Sequence, residues 1–350
     1  MRAIRRIGVS MRALAFVGFV AIAVSMTAAT DRRTVADSLG ARSAAGPRVQ
    51  HAMGYYDAAL QRVVLIGGAG QPRAADRDSL WSWSGAHWEP LGLGPPARTN
   101  AGVAYDGSRG LAAVTGGARR AADDSTFEVM AHTWLGDATS WRPLNGPDVP
   151  PRDHNALVHD EARGALLLFG GIPADRATPW PSDTWQLRPE GWVRIATEGP
   201  AGRARTALTY DSRRRQVVLF GGVGAQPGRG QPQPFFNDTW IWEGSSWRRV
   251  AADGPPARYA HGMVFDERAG VVLLYSGAAA HRDAPLTDMW QWDGRRWTEI
   301  HLSGPTPGFR YQPTMVYDRA RGRTVLFGGM TDSTGATWEW DGTRWSERGR

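Results

Sequence analysis

The sequence predicts an all-β protein, a six-bladed β-propeller built from four-stranded antiparallel blades. Three repeating features carry this prediction: glycine pairs 49 to 55 residues apart, tryptophan pairs seven residues apart, and short apolar runs that end in the glycines. A sequence period of this length is typical of propellers and other repeat arrays.

The glycine pairs mark six units along the chain. Glycine adopts backbone conformations that other residues avoid and lets two backbones approach closely, so its recurrence indicates a repeated turn. Five units have the pair and the fifth in order has Ser-Gly: Gly67-Gly68, Gly116-Gly117, Gly170-Gly171, Gly221-Gly222, Ser276-Gly277 and Gly328-Gly329.

The tryptophans repeat more strictly than the glycines. Sixteen of the 17 belong to the pattern when those two residues after the first member of a pair are included. Tryptophan buries a large apolar area, so we expect the paired residues to form the core. The pairs are Trp81 and Trp88, Trp134 and Trp141, Trp185 and Trp192, Trp240 and Trp247, Trp290 and Trp297, and Trp338 and Trp345.

Each unit divides into four strands, A to D. Strand A precedes an apolar-Asp turn, as in Met263–Asp266, and strand B is an unbroken apolar run such as Val217–Phe220. A run without alternation suits a sheet that is buried on both faces. Strands C and D form a hairpin around an Asp-Gly turn, as in Trp290–Trp297.

Sheets that bury both faces must stack on one another, and radial stacking achieves this without long exposed edges. The phase of the repeat makes each blade one contiguous A-B-C-D unit, so we expect the ring to close by packing rather than by strand exchange. The predicted blades span approximately residues 46–93, 94–146, 147–198, 199–253, 254–303 and 304–350.

The repeat resembles the kelch repeat. The resemblance rests on the apolar-Gly-Gly run, on Asp-Thr-Trp at Asp183–Trp185 and Asp238–Trp240, and on the second Trp seven residues later. It covers about residues 46 to 350. It implies a propeller with strand A innermost, and it implies almost nothing about function.

The N-terminus has the features of a secretion signal. Arg2, Arg5, Arg6 and Arg12 precede an apolar run at 13–24, and small residues follow up to Ala29. We therefore expect a signal peptide at 1–29, a linker at 30–45, and an exported protein that is periplasmic or extracellular. An uncleaved membrane anchor is the alternative. The absence of Cys means that no disulfide stabilises the chain.

The basic charge does not indicate nucleic-acid binding. All 41 basic residues are Arg, and four of them lie in the first 29 residues, which leaves 37 against 34 acidic residues. This excess is small and scattered. We expect no nucleic-acid partner, no membrane span in the mature chain, and a monomer.

Strand direction decides which loops share a face. The B–C and D–A loops lie together on what we call the first face, and the A–B and C–D turns lie on the second face. The first face has long, variable loops, which are the usual place for recognition on a rigid scaffold.

An arginine recurs on the first face, eight residues before the Asp of the A–B turn in five units and nine before it in the first. A ring of arginines could bind carboxylates; alternatively, each could pair within its own or the next blade. Aromatic loop residues could stack on a sugar or peptide, or could cover blade edges. The predicted ligand-binding residues are Arg48, Arg98, Arg152, Arg203, Arg258, Arg310, Trp180, His154 and His261.

Enzyme motifs are absent from the sequence. Without Lys there is no P-loop, without Cys there is no thiolate nucleophile or Cys metal site, and neither HExxH nor GxSxG occurs. We therefore expect no cofactor and no metal.

Three functions stay open. The first is a binding protein or scaffold that recognises a protein, peptide or glycan through the first face. The second is a carbohydrate-active enzyme, because periplasmic sialic-acid epimerases are six-bladed kelch propellers. The third is a structural spacer.

Overall fold

Each apolar run that ends in glycines forms the second strand of a four-stranded antiparallel sheet. The computed structural model describes residues 46–47, 50–68, 78–120, 126–251, 253–279, 285–330 and 335–349. The predicted signal peptide (1–29), the predicted linker (30–45) and Arg48 lie outside the described residues. Within the described ranges there is no helix, and hence none suited to crossing a membrane.

Six such sheets form the blades of a β-propeller, and each is built from one uninterrupted stretch of chain. Blade 1 contains β1 (Met53–Asp57), β2 (Arg62–Ile66), β3 (Ser79–Trp83) and β4 (Trp88–Leu93). Blade 2 contains β5 (Gly102–Asp106), β6 (Leu111–Thr115), β9 (Trp134–Gly136) and β10 (Trp141–Pro143). Blade 3 contains β12 (Ala156–Asp160), β13 (Ala165–Phe169), β15 (Thr184–Arg188) and β16 (Gly191–Ala196).

The remaining blades follow the same order of strands. Blade 4 contains β17 (Ala207–Asp211), β18 (Gln216–Phe220), β19 (Thr239–Trp242) and β20 (Trp247–Ala251). Blade 5 contains β22 (Gly262–Asp266), β23 (Val271–Tyr275), β25 (Met289–Trp292) and β26 (Trp297–Ile300). Blade 6 contains β27 (Thr314–Asp318), β28 (Arg323–Phe327), β29 (Thr337–Trp340) and β30 (Trp345–Gly349).

Short two-stranded ladders link loops beyond the blades. They are β7 (Ala118–Arg120) with β8 (Phe127–Val129), β11 (Arg152–Asp153) with β14 (Ile172–Pro173), and β21 (Arg258–Tyr259) with β24 (Ala278–Ala279). The ladders of β11 and β21 hold the D–A loop of their blade against its B–C loop, so these two first-face loops are braced by backbone hydrogen bonds.

The first strand of every blade lies nearest the ring axis. β1, β5, β12, β17, β22 and β27 pack side by side, and β27 packs against β1. The predicted closure is therefore confirmed, because blades 1 and 6 meet by packing and no sheet mixes strands from the two ends of the chain.

The apolar core is divided among the six contacts between blades. One cluster joins Val63 and Trp83 of blade 1 to Val316 and Phe327 of blade 6, and five more join the other neighbouring pairs. Burial on both sheet faces explains why the second strands do not alternate. Most paired tryptophans are buried here as expected, while Trp134, Trp141, Trp185, Trp240 and Trp290 are half-buried.

The glycine pair has a backbone reason. In blade 4, Gly221 has a φ of 65°, and the carbonyl of Arg258 from blade 5 lies 2.7 Å from where a Cβ would stand. The next residue, Gly222, donates its N–H to that same carbonyl at 2.8 Å. A side chain at Gly221 would therefore separate two blades.

Candidate ligand-binding site

The predicted arginine ring is buried. Arg98, Arg152, Arg203, Arg258 and Arg310 are all 7% exposed or less. In blade 4, Arg203 donates to both oxygens of Asp238 at 2.6 and 3.0 Å, to the Gly221 carbonyl at 3.0 Å and to the Ala201 carbonyl at 3.0 Å. These bonds tie the D–A loop to the glycine turn and to the start of strand C.

The same bonds recur in the neighbouring blades with small changes. Arg258 donates to both oxygens of Asp288, and Arg152 donates to Asp183. In blade 2 the carboxylate position is His132, and Arg98 donates to its backbone carbonyl at 2.9 Å. Burial with no carboxylate in that place lowers the pKa of Arg98 to about 10.

This bonding favours a structural role for the arginines over the ligand-binding role expected from the sequence. The guanidinium groups of Arg152, Arg203 and Arg258 are already neutralised by a carboxylate of their own blade. A ligand would have to displace that carboxylate and reach a buried group. Arg48 lies outside the described residues.

A second ring follows the arginines, two residues after them in blades 2 to 6 and three after Arg48 in blade 1. Its members share a positive φ of 53° to 58°, which is uncommon for residues other than glycine. Backbone hydrogen bonds from 2.7 to 3.1 Å run from blade to blade through five of them. We call these residues the mouth ring: His51, Asn100, His154, Arg205, Ala260 and Gln312.

Side chains of the mouth ring converge across the channel. The amide of Gln312 in blade 6 donates to Asn100 Oδ1 in blade 2 at 3.1 Å, past the blade that separates them. Burial, with the charge of Arg205 nearby, lowers the pKa values of His51 and His154. Both imidazoles are therefore neutral at pH 7. The His154 Nδ1 lies 3.4 Å from Asp153 Oδ1.

Arg205 is the cation of the mouth ring. Its guanidinium lies 5.8 Å from the ring centres of Tyr259 and Tyr311. Among the described residues, no carboxylate lies within ion-pair distance of it, and its buried Nε has no hydrogen-bond partner. A half-buried guanidinium without a counter-ion, beside neutral imidazoles and an amide, is suited to an anionic group of a ligand.

Aromatic residues from four loops meet beside Arg205. Phe235 and Tyr259 have ring centres 5.4 Å apart, and Tyr259 and Tyr311 have ring centres 5.7 Å apart. Trp180 packs on the same cluster around Val223. Trp180 thus belongs to the cluster that contains Tyr259 and Tyr311, and its backbone lies against Gly202 of the blade 4 loop.

A cavity of about 200 Å³ lies within the ring, below the mouth. Apolar residues of the innermost strands line it, among them Met53, Val103, Leu157, Met263 and Met315. His51, Asn100 and Gln312 of the mouth ring line it as well, so the mouth ring controls access to it.

The opposite end of the channel is crossed by an ion-pair cluster. Arg319 of blade 6 pairs with Glu161 of blade 3 and with Glu267 of blade 5, the latter at 2.7 Å. Blades 3 and 6 face each other in a six-membered ring, so the Arg319–Glu161 pair spans the axis. A ligand would therefore reach the cavity from the first face.

His261 is among the residues that line the cavity, but its side chain is almost fully buried. It is 6% exposed and packs edge-on against Phe220, with ring centres 5.6 Å apart. Neither ring nitrogen has a hydrogen-bond partner among the described residues, and burial lowers its pKa to about 3. The imidazole is therefore neutral, and its contact with a ligand stays a prediction.

The sequence predicts His154 as a ligand-binding residue and places His51, Asn100, Arg205 and Gln312 near the recurrent arginines. All four lie six residues before the Asp of the A–B turn, and that spacing is visible in the sequence. Their convergence depends on the positive φ of the ring, which the pattern does not reveal. No group of side chains suited to holding a metal ion occurs among the described residues.

Comparisons with known proteins bear on the fold. No family model matches the chain, and no curated protein matches it. It is similar to a solved structure described as "Structure of YjhT", with a TM-score of 0.64 and 14% sequence identity. The match covers 86% of this chain and 97% of that chain. At this identity the similarity shows the propeller fold alone.

Proposed function

We propose that this chain is an exported kelch-type binding protein that takes a carboxylate-bearing peptide or glycan at the mouth ring. The observation that carries the proposal is Arg205, a half-buried cation with no carboxylate in ion-pair range among the described residues. Export rests on the N-terminal sequence, and the kelch assignment rests on the repeat.

The surroundings of Arg205 suit one carboxylate with an adjoining ring or apolar group. Guanidinium binds carboxylate through two parallel hydrogen bonds. The neutral imidazole of His51 and the amide of Gln312 can donate or accept further bonds. Tyr259 and Tyr311 supply aromatic surface beside the cation.

The test is a thermal-shift and calorimetric screen of residues 30–350 with acidic sugars, their neutral counterparts and peptides with a free or amidated C-terminus. We expect acidic compounds to bind and Arg205→Gln to weaken binding at least tenfold, which is about the loss of one charged hydrogen-bonded pair. Arg229→Gln, an exposed change in a first-face loop, is the matched control. Equal binding of neutral compounds would contradict the proposal.

A carbohydrate-active enzyme is the second candidate, favoured by the Asp153–His154 contact beside Arg205. A neutral imidazole next to a carboxylate can transfer a proton to or from a bound acidic sugar. Proton NMR of each sugar that binds would follow epimer exchange with time. Binding without any conversion would leave the binding function and remove the enzyme function.

A further inference from the structure

The second face of blades 4 and 5 has a surface unlike the rest of the ring. The side chain of Arg213, in the A–B turn of blade 4, packs over Gly270 in the A–B turn of blade 5. Arg214 packs over Gly294 in the C–D turn of blade 5 and donates to the Gly270 carbonyl at 3.2 Å. Three turns from two blades therefore form one continuous surface.

Six arginines belong to this surface, which we call the arginine patch. All except Arg214 are exposed. Arg214 pairs with Asp211 at 2.7 Å, and Arg296 lies 3.8 Å from Asp293. The patch consists of Arg213, Arg214, Arg215, Arg268, Arg295 and Arg296.

Four cations of the patch have no ion pair within the part of the chain that the structure describes: Arg213, Arg215, Arg268 and Arg295. Glu267 adjoins Arg268 in the sequence, but its carboxylate forms an ion pair with Arg319 at the ring axis. Asp211 and Asp266 are buried beneath their turns. The excess positive charge therefore faces solvent.

In other blades, an arginine of the A–B turn is paired with a carboxylate. Arg109 of blade 2 pairs with Asp106, and Arg163 of blade 3 pairs with Asp160. In blade 6, Arg321 pairs with Asp318 and with Glu339. The equivalent Arg214 of blade 4 is paired as well, so the unpaired charge of blades 4 and 5 comes from additional arginines at other positions of their turns: Arg213, Arg215, Arg268 and Arg295.

We propose that the arginine patch docks the propeller on an anionic phospholipid surface. Its guanidinium groups stand at the tips of turns on one face of a disc, which suits a plane of phosphates better than a single strand in a groove. The three turns contain no aromatic residue on which a nucleobase could stack. Docking by the second face leaves the mouth ring of the first face open to its ligand.

The test measures binding of residues 30–350 to phosphatidylcholine vesicles with and without 30% phosphatidylserine, at low and at physiological salt. The patch variant is Arg213→Gln, Arg215→Gln, Arg295→Gln and Arg296→Gln together. The control variant carries the same loss of charge at four exposed arginines elsewhere: Arg142, Arg176, Arg188 and Arg194, each changed to Gln. Thermal melting verifies that both variants fold.

We expect binding only to the anionic vesicles, weakening as salt rises, and reduced roughly tenfold or more in the patch variant because each surface arginine contributes to attraction by anionic lipid. The control variant should keep most of the binding. Absence of vesicle binding, or an equal loss in both variants, overturns the proposal. Tighter patch-dependent binding to an oligonucleotide or to soluble polyphosphate than to vesicles overturns the lipid assignment.

Discussion

Arg203 and Arg205 are two residues apart and have opposite environments. Arg203 is buried and bonded to both oxygens of Asp238, while Arg205 is half-buried with no carboxylate in ion-pair range among the described residues. The backbone between them turns into the left-handed region at Arg205. One guanidinium therefore lies within the blade, and the other lies beside the rings of Tyr259 and Tyr311.

The buried arginines predict a large effect on stability. Arg258→Met removes the cation that pairs with Asp288. The Asp288 carboxylate then stays partly buried without a partner that offsets the cost of removing it from water. We expect the free energy of unfolding to fall by about 3 kcal/mol or more. Arg295→Met, at an exposed turn, should change it by only about 0.5 kcal/mol. Urea unfolding at pH 7.5 measures both, and equal effects would contradict a structural role.

The burial of His261 predicts that the free energy of unfolding depends on pH. Burial, with Arg258 nearby, lowers its native pKa to about 3, while the unfolded chain keeps a value near 6.5. The unfolded state therefore binds a proton first as pH falls below about 6.5, and stability declines from there toward pH 3. At pH 5 this loss is about 2 kcal/mol.

The measurement compares urea unfolding at pH 7.5 and pH 5 for the parent and for His261→Asn. Asn155 occupies the equivalent position in blade 3 and donates to the Thr115 carbonyl, so Asn fits this place in the fold. For the parent, the free energy of unfolding differs between pH 7.5 and pH 5, and in the variant this difference should be smaller by about 2 kcal/mol. His301→Asn, at an exposed site, is the control, and an unchanged difference in His261→Asn would sink the assignment.

At the scale of elements, neighbouring blades are joined by an indole-to-threonine hydrogen bond. The second Trp of a blade donates to the Thr that begins strand C of the preceding blade, as in Trp247 to Thr184 at 2.8 Å and Trp297 to Thr239 at 2.8 Å. Blade 5 has Met289 at this place, and the buried Nε1 of Trp345 has no partner among the described residues.

Removing one of these acceptors tests its contribution. Thr239→Val keeps the shape of the side chain and leaves the buried Trp297 N–H unsatisfied. We expect a loss of about 1–3 kcal/mol in the free energy of unfolding. Thr343→Val, in the exposed C–D turn of blade 6, is the matched control. A loss no greater than the control would show that the bond adds nothing to stability.

At the scale of the whole molecule, four hydrogen bonds that involve side chains join blades 1 and 6 among the described residues. Trp83 donates to Glu339 at 2.8 Å and Trp88 donates to Thr337 at 2.7 Å. The Tyr56 hydroxyl accepts from the Ala320 N–H at 3.2 Å, and the Thr314 hydroxyl donates to the Ala52 carbonyl. Because no strand crosses the seam, closure depends on these contacts and on the apolar cluster beneath them.

Glu339 is the buried acceptor of one of these bonds. It is 1% exposed, and it accepts from Trp83 and pairs with Arg321 and Arg348. Glu339→Ala should lower the free energy of unfolding by about 3 kcal/mol or more, because buried donors lose their acceptor. Glu299→Ala, on an exposed outer strand, should change it little. Denaturant unfolding followed by tryptophan fluorescence distinguishes the two.

The sequence by itself determined the repeat, the four strands of each blade and the way that the ring closes. These features are local, because an apolar run, a glycine turn or a Trp pair shows its period within one unit of about 50 residues. The burial of most paired tryptophans follows from the same pattern.

The tertiary structure alone brought the residues of the candidate site together. Trp180, Phe235, Tyr259 and Tyr311 are scattered in the sequence and meet in one cluster because four loops share a face. Whether an arginine is neutralised depends on an Asp some 30 residues away, as for Arg258 and Asp288. The recurrent arginines are the most conspicuous pattern in the sequence, but the described ones are buried within the fold. The candidate site is formed by the mouth ring beside them.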